Sequence, residues 1–330
     1  MTDYRDQVTQ ALRAVRVTSA TTYAWFGRRS PPLPRPVAMA LSADTAREYL
    51  VGLVAGELYR SFYTQGRAVP VNPDAARPDR PDNAFVEGLS LANNGTGGWD
   101  SGWRVEKAAP GILHVERNGL RVRVRTSDCR SSHGTRAVGD PVSIRRPKEL
   151  TAGSPGFYTA LGDRQLAMGD DGLEVRVYFN VAAAGAAPLV GVCTRLLNEA
   201  EIPFLLKVVD HPMGFFRCDN AVLYLDRPGF KGVQRSLAVA ASVCASHLGR
   251  DAPAFTRPLT DGVAVGEHRP SLGASFGASR CRLVAEGIVD AHERGATLLE
   301  DRLDAVARRF ARRGLDLEAP YLVPGNHNVL

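Results

Sequence analysis

The 330-residue sequence contains few cysteines, and no two of them lie close together. The five are odd in number and form no Cys-x-x-Cys motif: Cys129, Cys193, Cys218, Cys244 and Cys281. Disulfide frameworks and zinc sites both need paired or clustered thiols. The sequence therefore predicts free thiols, no metal and a reducing compartment such as the cytoplasm.

Long apolar runs are also absent. A transmembrane helix needs about 20 predominantly apolar residues, and the most apolar helical segment, residues 232–248, contains Arg235 and His247. The first residues, Met1–Asp6, lack the basic and then apolar segments of a secretory signal. We expect neither a membrane span nor secretion.

Lysine is the scarcest of the common charged residues. Of 41 basic residues only four are lysines: Lys107, Lys148, Lys207 and Lys231. A GC-rich coding sequence explains this bias, but it makes a lysine within an apolar segment unusual. The net charge of +6 is spread along the chain, with no basic cluster interleaved with aromatic residues. We therefore expect no nucleic-acid partner, and a phosphorylated or otherwise anionic substrate accounts for the charge.

Several catalytic motifs are missing. The sequence has no Gly-x-Ser-x-Gly, no His-Glu-x-x-His and no phosphate-binding P-loop, so hydrolase, zinc-protease and nucleotide-hydrolase functions have no local support. A kinase-like glycine-rich loop is missing too, which argues against a kinase. No cofactor is expected.

The first half of the chain combines helices with short strands. Apolar residues at helical spacing predict helices over residues 4–17 and 44–63. Alternating runs over residues 103–145 predict antiparallel strands, with a hairpin turn at Asn118-Gly119. One strand face is either solvated or a binding surface, and it carries Arg121, Arg123 and Arg125.

The second half predicts further strands and helices. The strands are expected at residues 156–161, 174–181, 202–209 and 215–225, and the helices at 186–200, 230–248, 275–292 and 298–313. Such blocks predict an α+β fold: a mixed, largely antiparallel sheet flanked by helices, with an N-terminal helical and β-hairpin region. We predict domains at residues 1–150 and 151–330, or one continuous domain, because the proline-rich loops are short for linkers.

Lys207 is the first candidate for chemistry. It lies in the apolar run Phe204-Leu205-Leu206-Lys207-Val208-Val209. Burial lowers the pKa of a lysine, which can then act as a general base, or the lysine can stay charged against a phosphate. A solvent-facing position or a structural ion pair explains the same pattern.

Polar residues at two-residue spacing suggest a phosphate clamp. Arg176, Tyr178 and Asn180 share one strand face, and Arg217 and Asp219 share another. Two arginines that converge from neighbouring strands can bind phosphate bidentately. Arg217 paired structurally with Asp219 is the alternative.

Three other groups are weaker candidates. Ser275 opens a helix that also carries Arg280, so it marks either an anion site at the helix N-terminus or a plain N-cap. His211 and His268 are predicted in loops. Each histidine is a candidate proton donor or an ordinary surface residue.

At these residues the sequence resembles the HopA family of type III secretion effectors. The matching residues run from Val175-Arg176-Val177-Tyr178-Phe179-Asn180 through Lys207 and Arg217-x-Asp219 to Ser275-Phe276-Gly277 and Arg280-Cys281. The resemblance is strongest over residues 157–287. It extends more weakly to residues 99–105.

This resemblance implies a reaction class. Actinobacterial HopA-like proteins are found in pathways for ribosomally made, modified peptides, including class V lanthipeptides and thioamide peptides. There they are thought to eliminate phosphate from a precursor peptide, beside a separate kinase of the aminoglycoside-phosphotransferase type and in some cases a cyclase. The products would be dehydroalanine or dehydrobutyrine.

Applied to this chain, the resemblance implies roles for individual residues. Lys207 is the expected base, while Arg176, Arg217 and Arg280 are expected to hold the phosphate. The leaving group or the enolate-like intermediate would be assisted by Tyr178, Tyr224 or a histidine. Family members often have a histidine where this chain has Ser279, so that role cannot be transferred. The alternative is a non-catalytic subunit that binds the leader peptide or activates the kinase.

Overall fold

The computed structural model describes residues 3–71, 78–131, 134, 136–167, 172–269 and 274–326. Within these ranges the helices are α1 (Tyr4–Ala14), α2 (Arg35–Ala40), α3 (Ala43–Ser61), α4 (Asn83–Ala92), α5 (Ala183–Glu199), α6 (Arg227–Gly232), α7 (Gln234–Val243), α8 (Phe276–Glu293) and α9 (Leu299–Arg312).

Fifteen strands are described: β1 (Val15–Ser19), β2 (Thr22–Trp25), β3 (Arg28–Arg29), β4 (Gly98–Ala109), β5 (Ile112–Arg117), β6 (Leu120–Arg125), β7 (Cys129–Ser131), β8 (Pro141–Arg146), β9 (Glu149–Ser154), β10 (Phe157–Leu161), β11 (Glu174–Phe179), β12 (Leu205–Val209), β13 (Ala221–Leu225), β14 (Arg257–Thr260) and β15 (Val263–His268). They form three antiparallel sheets. The α+β prediction is confirmed.

The largest sheet has seven strands in the order β14-β15-β11-β13-β12-β10-β9. Both faces of this sheet are buried, and successive side chains of each strand point to opposite faces. One face, with Val175, Val177 and Leu223, packs against α5 and α7. The other face, with Tyr178 and Val222, meets a core built from α1, α3, α8 and α9. Residues from both ends of the chain therefore share one core, while the division at residue 150 stays a prediction.

Charged side chains join α3, α8 and α9 at the outside of this core. The Asp290 carboxylate accepts hydrogen bonds from Arg47 at 2.6 Å and from Arg309 at 2.6 and 2.5 Å. Burial raises the pKa of Asp290, but hydrogen bonds from Arg309 and Arg47 outweigh it and hold that pKa below its usual value. The carboxylate therefore stays charged between the three helices.

A five-stranded sheet, in the order β6-β5-β4-β8-β7, occupies the region between residues 98 and 146. Only the short helical turn Thr126–Asp128 separates β6 from β7, although the two strands form opposite edges. The sheet therefore curls around a small core of its own, in which Trp103, Val105 and Val115 are buried.

Three predicted elements differ in the structure. The helix predicted to end at residue 17 stops at Ala14, because Val15, Val17 and Thr18 are β-branched and enter strand β1. The helix expected over 230–248 is divided into α6 and α7. The strand expected from residue 215 begins only at Ala221, because the backbone before it bonds elsewhere: Cys218 N donates to Thr64 O.

The described ranges lack two features. No helix there has the length and hydropathy that a membrane crossing requires. In the same part of the chain, no three His, Cys, Asp or Glu side chains are grouped closely enough to hold a metal ion. All five cysteines are buried and free.

Candidate active site

The candidate site lies on the face of the seven-stranded sheet that α8 partly covers. Three neighbouring strands contribute to it, because Arg176 of β11 lies opposite Tyr224 of β13, and Val222 of β13 lies opposite Lys207 of β12. Tyr178 of β11 is the other neighbour of Val222. The two-residue period of each strand therefore brings Arg176, Tyr178, Tyr224 and Lys207 to one face.

Lys207 is half-buried and has a lowered pKa. Its Nζ donates a hydrogen bond to Ser154 Oγ at 3.0 Å and lies 5.4 Å from the centre of the Tyr224 ring. Burial is the larger cause of the lower pKa, and the positive charge of Arg176 adds to it, while Glu174 opposes both. A larger fraction of Lys207 is therefore an uncharged amine at neutral pH than for an ordinary lysine.

Arg176 is the permanent cation beside it. Its Nε donates to Glu174 Oε1 at 2.5 Å, and its guanidinium carbon lies 5.0 Å from the centre of the Tyr224 ring. Burial lowers the pKa of Arg176, but Tyr178, Tyr224 and Glu174 outweigh it and raise the pKa above its usual value. Within the described residues, neither Nη group of Arg176 makes a hydrogen bond to protein. These groups remain available for an anion.

Tyr224 joins the two cations, since its ring contacts both Arg176 and Lys207. Burial raises the pKa of Tyr224 to about 12, against the opposing effect of Arg176. The phenol is therefore protonated at neutral pH and can donate a hydrogen bond. Cation–π contacts of this kind also fix the positions of the two cationic side chains.

Arg217 lies in the loop before β13 rather than on the strand, and it is paired. Its Nε and one Nη donate to the Asp219 carboxylate at 2.5 and 2.8 Å, and the same Nη donates to the Tyr59 hydroxyl at 3.3 Å. The guanidinium also lies 5.8 Å from the centre of the Phe157 ring. The prediction that Arg217 and Asp219 share a strand face is wrong. The alternative, in which the two residues form a structural ion pair, is correct.

Tyr178 is completely enclosed. Its ring centre lies 6.1 Å from that of Phe276 of α8. Burial raises the pKa of Tyr178 above its usual value, and the charge of Arg176 opposes this shift. Tyr178 is therefore buried beneath the site, whereas Tyr224 is only partly buried.

The two histidines occupy different ends of the sheet. The loop prediction for His268 is wrong: it is the last residue of β15 and is buried, opposite Glu174. Burial, and then the charges of Arg176 and Arg280, lower the pKa of His268 to about 3. His268 is therefore neutral at physiological pH. His211 begins the turn after β12, where its Nδ1 accepts a hydrogen bond from Met213 N.

Arg280 and Ser275 belong to α8. Arg280 is only 2% exposed, and it donates from Nε to Pro320 O at 3.1 Å and from Nη2 to Leu322 O at 2.9 Å. It therefore anchors the C-terminal segment, which favours a structural role over the predicted phosphate contact. The Ser275 side chain accepts from Ala278 N, as an N-cap does.

Asn180 follows β11 at the end away from Arg176, and its Nδ2 donates to Asp251 O at 2.9 Å. Sequence reasoning missed Glu174 and Ser154. Glu174 precedes Arg176 by two residues, so the strand period could have placed it on the same face. Ser154 and Tyr59 come from distant segments, and no local pattern identifies them.

Together these residues place the amine of Lys207, whose pKa is lowered, and the charged guanidinium of Arg176 next to one aromatic ring. The amine can accept a proton from a carbon acid, and the guanidinium can hold an anion next to it.

Comparison with known proteins gives a family and a set of distant structures. The sequence model of the HopA1 effector protein family matches residues 151–322. A solved effector structure from Pseudomonas syringae pv. tomato strain DC3000 has 14% identity and a TM-score of 0.47, covering 84% of this chain and 95% of that one. An effector from Pseudomonas syringae pv. syringae strain 61 has 15% identity and a TM-score of 0.46, covering 83% and 96%. No curated protein matches the chain.

Proposed function

Because the chain belongs to the HopA1 effector protein family, we propose that it is a lyase that removes phosphate from phosphothreonine or phosphoserine in a peptide. The substrate would be a ribosomally made precursor peptide of the lanthipeptide type. A separate kinase of the aminoglycoside-phosphotransferase type would phosphorylate it, and a cyclase would act on the product. The reaction uses no metal or cofactor.

The reaction is a β-elimination. Lys207 Nζ takes the α-proton of the phosphorylated residue, and the electron pair of that C–H bond forms the Cα–Cβ double bond. The Cβ–O bond breaks, and phosphate leaves with its bonding electrons. Phosphoserine gives dehydroalanine and phosphothreonine gives dehydrobutyrine.

The observation that carries the proposal is the contact of Lys207 and Arg176 with the same Tyr224 ring. Burial lowers the pKa of Lys207, and the charge of Arg176 lowers it further, which favours the amine as a base. The Nη groups of the same guanidinium, which bond to none of the described residues, suit phosphate oxygens. One side chain therefore both activates the base and holds the leaving group.

Tyr224 suits the role of hydrogen-bond donor to the departing phosphate or to the enolate-like intermediate. Its phenol is protonated at neutral pH because burial raises its pKa to about 12. His268 is a poor general acid, because with a pKa of about 3 it carries no proton to give as an imidazolium. Arg217 adds positive charge at the edge of the site, although Asp219 balances it.

Mass spectrometry of a phosphothreonine peptide, incubated with the purified protein without ATP, tests this function. We expect the peptide to lose the mass of phosphoric acid. The product should then react with a thiol reagent added to the sample, since dehydrobutyrine is an electrophile. Loss of phosphate with gain of water would indicate a phosphatase instead. An unchanged peptide, with and without the kinase, would favour a non-catalytic subunit that binds the leader peptide or activates the kinase.

The pH dependence of elimination should respond to Arg176. The rate rises with pH as Lys207 loses its proton, and Arg176 lowers the pKa of Lys207. Replacing Arg176 by glutamine removes that charge and leaves Glu174 to raise the pKa, so the rise should move to higher pH. The pH profile of kcat/KM measures this shift.

Arg176→Lys is the matched control for that shift. It keeps the positive charge, so the profile should stay near that of the wild type. It loses the planar fork that binds phosphate bidentately, so KM should rise. A profile that is identical in wild type and Arg176→Gln would contradict the assignment of Lys207 as the titrating base.

A further inference from the structure

Strand β6 is an unusual edge strand. Each of the three sheets has two edges. Five of these six edge strands are short or irregular: β3 has two residues and β7 has three, while β1, β9 and β14 are paired with shifted register. Proteins commonly protect exposed edges in these ways, because an open edge can pair with another chain.

β6 has none of these protections. It has six residues, contains no proline or glycine, and pairs with β5 without any register shift from Leu120 to Arg125. In the described part of the chain, no strand pairs with its outer side. A regular edge of this length is what strand addition by a peptide requires.

The hairpin geometry identifies which backbone groups face outward. Asn118 and Gly119 have positive φ angles of 51° and 81°, as in a type I′ turn. Such a turn is closed by a hydrogen-bonded pair, here Arg117 and Leu120, and hydrogen-bonded pairs then alternate along the ladder. The outward N–H and C=O groups therefore belong to Arg121, Arg123 and Arg125.

The same three residues give this edge its charge. All three side chains are exposed. Arg121 forms an ion pair with Glu106 at 2.8 Å, whereas Arg123 and Arg125 have no ion pair within the described residues. Arg123 lies opposite His114, which in turn lies opposite Lys107. The open backbone and the uncompensated positive charge thus coincide.

We propose that β6 binds an acidic peptide segment in extended conformation, as an added strand. The peptide backbone would bond to the outward groups of Arg121, Arg123 and Arg125, and its carboxylates would pair with their guanidinium groups. Exposed charges also protect an edge from pairing with another chain, but a guanidinium group can in addition bind a carboxylate bidentately. This docking site belongs to a different sheet from Lys207 and does not depend on the elimination reaction.

Fluorescence anisotropy with the full-length protein tests the proposal. The probe is a labelled peptide of alternating glutamate and valine, compared with a lysine–valine peptide and a glutamate–proline peptide. Proline lacks the N–H that an added strand must donate. We expect the glutamate–valine peptide to bind more tightly than both of the others.

Charge-reversed variants locate the site. Arg123→Glu/Arg125→Glu should weaken binding by about tenfold or more, since each exposed ion pair contributes a small amount and reversal turns attraction into repulsion. Arg195→Glu/Arg235→Glu is the matched control, because both arginines are exposed on helices α5 and α7 and the change in net charge is equal. The control should bind as the wild type does.

Three outcomes would overturn the proposal: no binding of the glutamate–valine peptide, equal binding of the glutamate–proline peptide, or equal loss in both double variants. Binding of a single-stranded RNA probe that Arg123→Glu/Arg125→Glu abolishes, without peptide binding, would assign β6 to nucleic acid instead. Because anisotropy reports binding without turnover, a protein that eliminates no phosphate still gives a readable result.

Discussion

Replacing Lys207 by methionine is expected to lower the rate of phosphate elimination by about 10²–10⁴-fold, the usual contribution of a general base. Methionine keeps the length and apolar character of the lysine stem but cannot accept a proton. The Nζ hydrogen bond to Ser154 and the contact with Tyr224 are lost with it. The single-turnover rate on a phosphothreonine peptide, followed by mass spectrometry, measures the effect.

Lys231→Met is the matched control for Lys207→Met. Lys231 lies on α6 and is exposed, so its loss should leave the elimination rate unchanged. Lys207→Arg distinguishes a role as base from a role as positive charge, because arginine keeps the charge but does not lose its proton at physiological pH. If Lys207→Arg eliminates phosphate as fast as the wild type, Lys207 acts as a phosphate ligand and another group is the base.

Replacing Arg280 by methionine is expected to lower the free energy of unfolding by about 2–5 kcal/mol, since each buried carbonyl left without a donor costs about 1–3 kcal/mol. The two carbonyls concerned are those of Pro320 and Leu322. The guanidinium also packs over the Phe276 ring at 4.6 Å, and that contact is lost as well. Urea denaturation measures the change.

Arg282→Met provides the comparison on the same helix. Arg282 is partly exposed and pairs with Glu48 and Glu286, so its loss should cost about 1 kcal/mol or less. Unchanged stability in Arg280→Met, together with a raised KM for the phosphopeptide, would restore Arg280 as a phosphate ligand. Equal destabilisation by both substitutions would show that the C-terminal segment is held by other contacts.

The sequence located part of the site because a strand has a fixed two-residue period. Arg176 and Tyr178 could be placed on one face from their spacing alone, and the structure confirms it. The apolar residues around Lys207 indicated burial, and the residue is indeed half-buried. The residues in the family resemblance came from the same strands, which is why both lines of reasoning reached Lys207.

Loop residues were predicted less well. The alternation around Arg217 and Asp219 predicts a strand, but the backbone N–H of Cys218 donates to Thr64 O rather than to a neighbouring strand. The proline two residues after His268 predicts a loop at this position, yet His268 is the last residue of β15. In both places the backbone hydrogen-bond partner belongs to a distant segment, and the local sequence does not identify that segment.

The sequence by itself determined the fold class, the helices α3, α8 and α9, and the strands that carry Arg176 and Lys207, since periodicity and turn residues act over a few neighbouring positions. Only the tertiary structure decided that Tyr224 lies between Arg176 and Lys207, that Ser154 contacts Lys207, and that β6 is an open edge among the described strands. These arrangements depend on the order and register of strands that are far apart in the chain. That order is set by packing across the whole core, which no single segment specifies.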